Sequence, residues 1–270
     1  MIVGYHAGGL DEPDLERAAR RLKAAGYGGV QIAGPIAKTI AQRDGWEAAG
    51  DLFRAHGLDV LCTWGANPAL KEWADGERGQ ASFAKLRLCA EQARRAKCAS
   101  LMLIPESGPK ADADLLRAAG RQCAAFARRL HGETGVRLSV HQHRGGVVES
   151  LEEVRRFAEA FDGVSSALLA DTAHLTLGGV DPAAFATEFA GRIDTVHLKD
   201  ARGGAFAFPG TGTVDFAAFF KALDRAGFDG FAIADVHDAP HAGDPVADAR
   251  VWLDRAWPRA AGVAASRNDL

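Results

Sequence analysis

Residues 166–200 read SALLADTAHLTLGGVDPAAFATEFAGRIDTVHLKD. The run SALLAD (166–171) is a mostly apolar segment that ends in a carboxylate, and DTVHLK (194–199) is a second that ends in an imidazole and an amine. Between them, Asp181-Pro182 places an acidic cap before a proline at the first helical position, the pattern of a helix start. Runs of this kind suit strands covered on both faces, and a helical crossover between two strands makes them parallel. In both strands the chemically active residues collect at the C-terminal end.

The same unit recurs along the chain. Strands are expected at IVGYH (2–6), GVQIA (29–33), LDVLCT (58–63), SLMLIP (100–105), VRLSVH (136–141), SALLAD (166–171), DTVHLK (194–199) and GFAIADV (230–236). Amphipathic helices lie between them. The first, roughly 12–25, opens with Asp11 and Pro13 and stops at Gly26. SLEEVRRFAEAF (150–161) begins with a capping box, Ser150 and Glu153, and Asp215 opens a later helix. Gly26, Gly57, Gly135 and Gly227 each close a helix just before a strand. Eight such units in 270 residues predict an α/β fold, a single closed (β/α)8 TIM barrel. No linker or composition break interrupts it, so the barrel is expected over 1–258, with a small polar tail over 259–270 that frays.

The chain is 47% hydrophobic and 25% charged with a formal net charge of −3. That supplies one large core and no basic field for nucleic acid. MIVGYHAGGLDEPD lacks the basic and apolar segments of a secretory leader, and no apolar run approaches the ~18 residues of a membrane helix. Cys62, Cys89, Cys98 and Cys123 form no CxxC pair and read as reduced thiols. A cytoplasmic protein without membrane or nucleic-acid partners is expected.

Of nine histidines, His6, His141, His143, His174, His197, His237 and His241 fall at or just after the C-terminal ends of expected strands. His56 and His131 fall on the helical side. TIM-barrel active sites are built at the C-terminal rim, so seven imidazoles there point to a site rather than to scattered loop residues. Asp171 and Asp235 join them. Residues two apart on a strand share a face, which groups His141 with His143, His197 with Lys199, and Asp235 with His237. Strands five to eight thus offer His141, Asp171, His197 and Asp235 at similar height. Two imidazoles and two carboxylates suit one borderline divalent ion (Mn²⁺, Co²⁺, Fe²⁺ or Zn²⁺) better than Mg²⁺ or Ca²⁺, which favour more oxygen ligands.

Three motifs carry a family resemblance. LLADTAHLTLGG resembles the Asp-Thr-Gly-His segment of the xylose-isomerase-like sugar isomerase/epimerase superfamily. DTVHLKDAR is similar to its His-x-His-Leu-Lys-Asp segment, with Thr195 where many members carry histidine, and PGTGTVDFAAFFKALDRAGFDGFAIADV resembles its PG-x-G stretch and eighth strand. The resemblance implies a metal held by Glu, Asp, His and Glu from strands five to eight, with the two glutamates moving a proton. Asp171 and His197 match that set, and His174 matches a histidine that contacts substrate. His141 and Asp235 stand where the glutamates are expected, a departure from the two-glutamate mechanism. SVHQHRGG (139–146) is similar to the histidine cluster of the inosose dehydratase branch, with Gln142 replacing one histidine.

The chemistry follows from the donor set. A hydroxy-ketone or hydroxy-aldehyde that chelates the ion has an acidified α-proton, and a base removes it to give an enediolate. Reprotonation elsewhere gives isomerisation or epimerisation, and expulsion of a β-hydroxyl gives dehydration. A metal-bound His141 is neutral and cannot take the proton. His143, His237, Asp235 or Glu106 is left as the base, and imidazole chemistry near neutrality favours His143 and His237. Lys199 either binds a substrate oxygen or pairs with a nearby carboxylate. Trp64 either stacks on a sugar ring or packs, and His6 either touches substrate or caps its loop. Gly145-Gly146 and Gly203-Gly204 are expected in mobile loops over the mouth.

Three classes stay open. A metal-dependent enzyme on a small keto or aldo sugar or keto-cyclitol leads, as isomerase/epimerase or as dehydratase. A nucleic-acid repair barrel is opposed by the acidic net charge, and a non-catalytic sugar-binding barrel by the intact ligand set. Trp252 and Trp257 either pack on the barrel or form a homodimer contact.

Overall fold

The computed structural model describes residues 1–10, 14–40, 42, 45–65, 76–105 and 110–261. Eight parallel strands follow one another around a closed barrel: β1 (Ile2–His6), β2 (Gly29–Ile32), β3 (Asp59–Trp64), β4 (Ser100–Leu103), β5 (Arg137–His141), β6 (Ser166–Asp171), β7 (Ile193–Leu198) and β8 (Phe231–Ala234). β8 closes the ring by pairing with β1, Ile2 opposite Phe231. Helices α1 (Leu15–Ala24), α2 (Gly34–Thr39), α3 (Trp46–Ala55), α4 (Gly76–Arg95), α5 (Ala113–Thr134), α6 (Leu151–Phe157), α7 (Thr172–Leu177), α8 (Pro182–Phe189), α9 (Phe216–Arg225) and α10 (Pro245–Ala256) fill the connections. This is the (β/α)8 barrel that the alternating pattern predicts.

Local chemistry sets the element ends. Ser150 and Glu153 form the reciprocal capping box at α6, and Asp181 and Asp215 cap α8 and α9. The cap of α1 is Asp14, whose carboxylate accepts from the Arg17 N–H at 2.9 Å; Asp11 and Pro13 lie outside the described residues. The helix therefore starts later than its composition suggests. Gly135 ends α5 in the left-handed region at φ 73°, where a side chain is strained. A short helix, α11 (Pro258–Ala261), follows α10 with Ala260 buried. Residues 262–270 lie outside the described residues.

Gly203 and Gly204, read above as a mobile loop, are the turn of a small antiparallel hairpin, Asp200–Arg202 with Ala205–Ala207. Asp200 anchors its base to the PGTG stretch. One carboxylate oxygen accepts from the N–H groups of Gly210 (3.0 Å) and Gly212 (2.8 Å), and the other from Val214 (3.0 Å). A Cβ on Gly212 would overlap the Asp200 carboxylate and the Ala201 carbonyl. Gly212→Ala is therefore expected to destabilise by about 1–3 kcal/mol, the usual cost of overpacking. Urea unfolding checks this; an unchanged midpoint would show that the loop has slack.

Two apolar clusters support the barrel. A large one joins the strands to the surrounding helices, and a smaller one of Leu61, Cys62, Met102, Ile104, Leu169 and Ile233 fills the interior beneath the mouth. Leu61 occupies the space left by the missing side chains of Gly4 and Gly29. Trp257 stacks on Phe220 at 4.5 Å and donates its indole N–H to Asp224, while Trp252 packs on Phe216. Both tryptophans thus pack on the chain's own last helices. All four cysteines are free; Cys62, Cys98 and Cys123 are buried and Cys89 half-buried. Burial pushes every one of these thiols up, Cys98 to about 12. No helix among the described residues is long and apolar enough to cross a membrane.

Candidate metal centre

Strand register brings Asp171, His197 and Asp235 within 4.8 Å of one another and sets His141 beside Asp171. A register shift between Leu168 and Leu169 sets Asp171 directly opposite His197. Asp235 sits one residue past β8, held by its N–H to the Leu198 carbonyl at 3.2 Å, and His141 is the last residue of β5. All four are buried. His141 Nε2 lies 3.8 Å from Asp171 Oδ2, and His197 Nδ1 lies 3.5 Å from Asp171 Oδ2 and 3.4 Å from Asp235 Oδ2.

Hydrogen bonds on the far side of each group fix which atom faces inward. His141 Nδ1 contacts the Gln142 carbonyl; a carbonyl only accepts, so Nδ1 carries the hydrogen and Nε2 keeps its lone pair. His197 Nε2 donates to Gln31 Oε1 at 2.7 Å, which leaves Nδ1 as the lone pair. Asp171 Oδ1 accepts from the N–H groups of Ala173 and His174, both at 2.9 Å, and so caps α7. Its Oδ2 and His197 Nδ1 are buried without a hydrogen-bond partner. Lys199 Nζ reaches Asp235 Oδ2 at 3.1 Å but neither of these two atoms, and two buried acceptors facing each other without a donor call for a cation. A tetrahedral ion with ligands at about 2.1 Å would separate its ligand atoms by about 3.4 Å; Asp171, His197 and Asp235, whose ligand atoms lie within 4.8 Å of one another, fit that spacing, while His141 groups with Asp171 and His174 at its edge.

The electrostatics agree. Burial alone would raise Asp171, yet His174, His197, Lys199 and His141 around it hold it below the usual carboxylate range. Asp235 is depressed in the same way, by His6, Lys199, His197 and His237. Burial works against a proton on His197, but the two carboxylates overcome it and raise that imidazole, so Nδ1 takes up a proton more readily in the absence of an ion, and an ion held there would displace it. Burial lowers His141 well below its ordinary value, His6 to about 3 and His174 to about 4. These three imidazoles are neutral near pH 7; the lone pair of His141 on Nε2 faces Asp171, while those of His174 and His6 on Nδ1 accept backbone N–H groups.

The remaining residues ring this pocket. On the Asp171 side, His143 lies 3.9 Å from the His174 ring, and His174 Nδ1 accepts from the Arg144 N–H. His143 is half-buried, and its Nδ1 donates to the Arg144 carbonyl at 2.9 Å. On the Asp235 side, Lys199 is fully buried, with Nζ 3.1 Å from Asp235 Oδ2 and 3.3 Å from His237 Nδ1. His237 has a carboxylate near each ring nitrogen: Asp235 at Nδ1, and Asp238 at Nε2 at 3.5 Å. His6 stacks on His237 at 4.5 Å and caps its own loop, with Nδ1 accepting from Gly8.

Some expectations fall elsewhere. His241 pairs with Asp248 at 2.7 Å, stacks on Phe208 and lines the cavity it shares with His237. Trp64 ends β3, but its side chain, like the whole of Glu106, lies outside the described residues. Two site residues escaped the sequence reading. Phe206, on the hairpin, packs 4.9 Å from the His174 ring with Lys199 Nζ 4.6 Å from its centroid; its sequence neighbourhood gives no sign of this. Gln31 was legible, because it is the lone polar residue in GVQI and shares a face with Gly29.

A family model of the xylose isomerase-like TIM barrel matches residues 19–256. The chain belongs to the xylose isomerase-like TIM barrel family. This xylose isomerase-like chain is similar to the rhizopine catabolism protein MocC of Rhizobium meliloti, 28% identical over 271 residues that cover 90% of this chain and 80% of MocC. It is 32% identical over 135 residues to an inosose dehydratase of Geobacillus thermodenitrificans, covering 43% of this chain and 45% of that enzyme, so this likeness spans under half of either protein. Among solved structures, the IolI protein with a bound zinc atom superposes with a TM-score of 0.73 at 14% identity, covering 99% of this chain and 100% of IolI.

Proposed function

We propose that this chain is a divalent-metal-dependent enzyme that removes the proton α to a carbonyl of a small keto-cyclitol or keto-sugar and then expels a β-hydroxyl as water. His141 Nε2, Asp171 Oδ2, His197 Nδ1 and Asp235 Oδ2 would hold the ion. A bound Mn²⁺, Co²⁺, Fe²⁺ or Zn²⁺ supplies Lewis-acid polarisation of the substrate carbonyl and its neighbouring hydroxyl.

The observation that carries this reading is that both carboxylates are committed. Asp171 divides its oxygens between a helix cap and the pocket, and Asp235 is engaged by Lys199 and His237. Neither is free to shuttle a proton, so the work falls to imidazoles. His143 has Nδ1 engaged by a carbonyl, which leaves Nε2 as a lone pair for the α-proton. The C–H electron pair becomes the C=C bond of an enolate. As the carbonyl re-forms, the β-carbon–oxygen bond breaks toward oxygen, which takes a proton and leaves as water. His237, with a carboxylate at each ring nitrogen, is placed to hold and deliver that proton. Lys199 keeps Asp235 ionised and faces the same oxygens. His174, His6 and Phe206 would frame the ring of the substrate. The likeness to an inosose dehydratase supports the same outcome.

An isomerase or epimerase remains the second reading. His143 with His141 and His174 gathers beside Asp171, and His237 with His6 beside Asp235, which offers an imidazole on either side of a substrate carbon. Metal-loaded protein incubated with keto-cyclitols and keto-sugars in deuterium oxide separates the two. The dehydratase yields an ultraviolet-absorbing enone, and an epimerase returns deuterated epimer without loss of water. His143→Ala is expected to lower kcat by about 10²–10⁴-fold, the usual worth of a general base, with metal content unchanged. Normal turnover in that variant would remove His143 from the mechanism.

A further inference from the structure

We infer that Gln31 is a positioning residue that selects which nitrogen of His197 meets the ion. The inference rests on the metal reading above. Gln31 is fully buried on β2, five strands before β7 in chain order and across the barrel interior from it. The β2–β3 register shifts between Val30 and Gln31, an irregularity of the kind that re-aims a side chain.

The amide is oriented by its two ends. Its NH2 donates to Met102 Sδ at 3.6 Å, and its Oε1 accepts from His197 Nε2 at 2.7 Å. A thioether accepts and cannot donate, so it selects the NH2 end and turns the carbonyl end toward the imidazole. The carbonyl then requires a hydrogen on Nε2, and the lone pair is forced onto Nδ1, the atom that faces Asp171 and Asp235 without a partner. Outer-shell acceptors fix the tautomer and ring orientation of metal-bound histidines in this way. A neutral amide does so without adding a third negative charge beside two carboxylates, and so leaves the ion more electrophilic than a carboxylate would.

The test is calorimetric titration of Co²⁺ into wild type, Gln31→Met and Gln31→Glu, with thermal unfolding of each. Met keeps the bulk and loses the acceptor; Glu keeps the acceptor and buries a charge. If Gln31 only packs, Met is harmless and Glu is the damaging change. The positioning role predicts the reverse order: about 10–100-fold weaker Co²⁺ binding for Gln31→Met and affinity within a few-fold of wild type for Gln31→Glu. Wild-type affinity in Gln31→Met would overturn the inference while leaving the metal reading intact. A wild type that binds no Co²⁺ would overturn both. As a measurement free of variants, histidine ¹⁵N shifts of Zn²⁺-loaded protein are expected to show His197 bound through Nδ1 with Nε2 protonated; binding through Nε2 would also overturn it.

Discussion

Asp171→Asn is expected to lose at least about 100-fold in divalent-metal affinity, beyond the range for loss of an outer-shell partner, while unfolding no earlier than wild type in the absence of metal. The two halves of the prediction come from the two oxygens of one carboxylate. Oδ1 caps α7 through Ala173 and His174, and asparagine is as good a cap as aspartate. Oδ2 is the buried atom with no partner. An amide NH2 in its place has donors to offer His141 Nε2 and His197 Nδ1, which stand 3.8 and 3.5 Å away. The variant therefore satisfies internally what the wild type leaves for a cation. Calorimetric metal titration and metal-free thermal unfolding read the two halves separately. Wild-type affinity would remove Asp171 from the ligand set, and a large loss of stability would show that the carboxylate serves the fold first.

Lys199→Met should act in the opposite direction on metal and fold. Lys199 is fully buried, and its amine is 3.1 Å from Asp235 Oδ2. Removing one partner of a buried pair leaves an uncompensated charge and costs about 3–5 kcal/mol. A divalent ion beside Asp235 supplies much of the lost compensation. The variant is therefore expected to be about 3–5 kcal/mol less stable without metal, to recover much of that in saturating Co²⁺, and to bind the ion more tightly than wild type. Turnover should fall at least about 100-fold if, as proposed, the Lys199 amine stabilises charge on the reacting oxygens. Urea unfolding with and without ion is the measurement. Equal midpoints for variant and wild type in both conditions would show that the pair contributes nothing, and Lys199 would then need another explanation.

The barrel was readable because its signals are local. Every strand carries its own apolar run, and SALLAD (166–171) matches β6 residue for residue. Capping chemistry at Ser150, Asp181 and Asp215 is likewise written within four residues. The histidine and aspartate cluster was readable for a related reason: in a parallel barrel every strand end reaches the same rim, so position along the strand foretells neighbourhood. What escaped depends on contacts between distant segments. Phe206 reaches the pocket only because Asp200 ties the hairpin base to the PGTG stretch. His241 obeys the rim rule in sequence, and only the fold shows that its ring is tied to a carboxylate one helical turn into α10, Asp248. Glycine pairs alone could not distinguish a tight hairpin turn at Gly203-Gly204 from an open loop.

The cysteines bear on all of these titrations. Soft ions and alkylating probes react with thiolate, and burial holds all four thiols in the protonated form. Sulfur is thus a silent background in this protein. Co²⁺ taken up in a folded sample should produce only the weak visible bands of nitrogen and oxygen coordination, without an intense sulfur-to-metal charge-transfer band. Thiol reductants, which chelate the same ions, are called for only by the half-buried Cys89, where a phosphine serves instead.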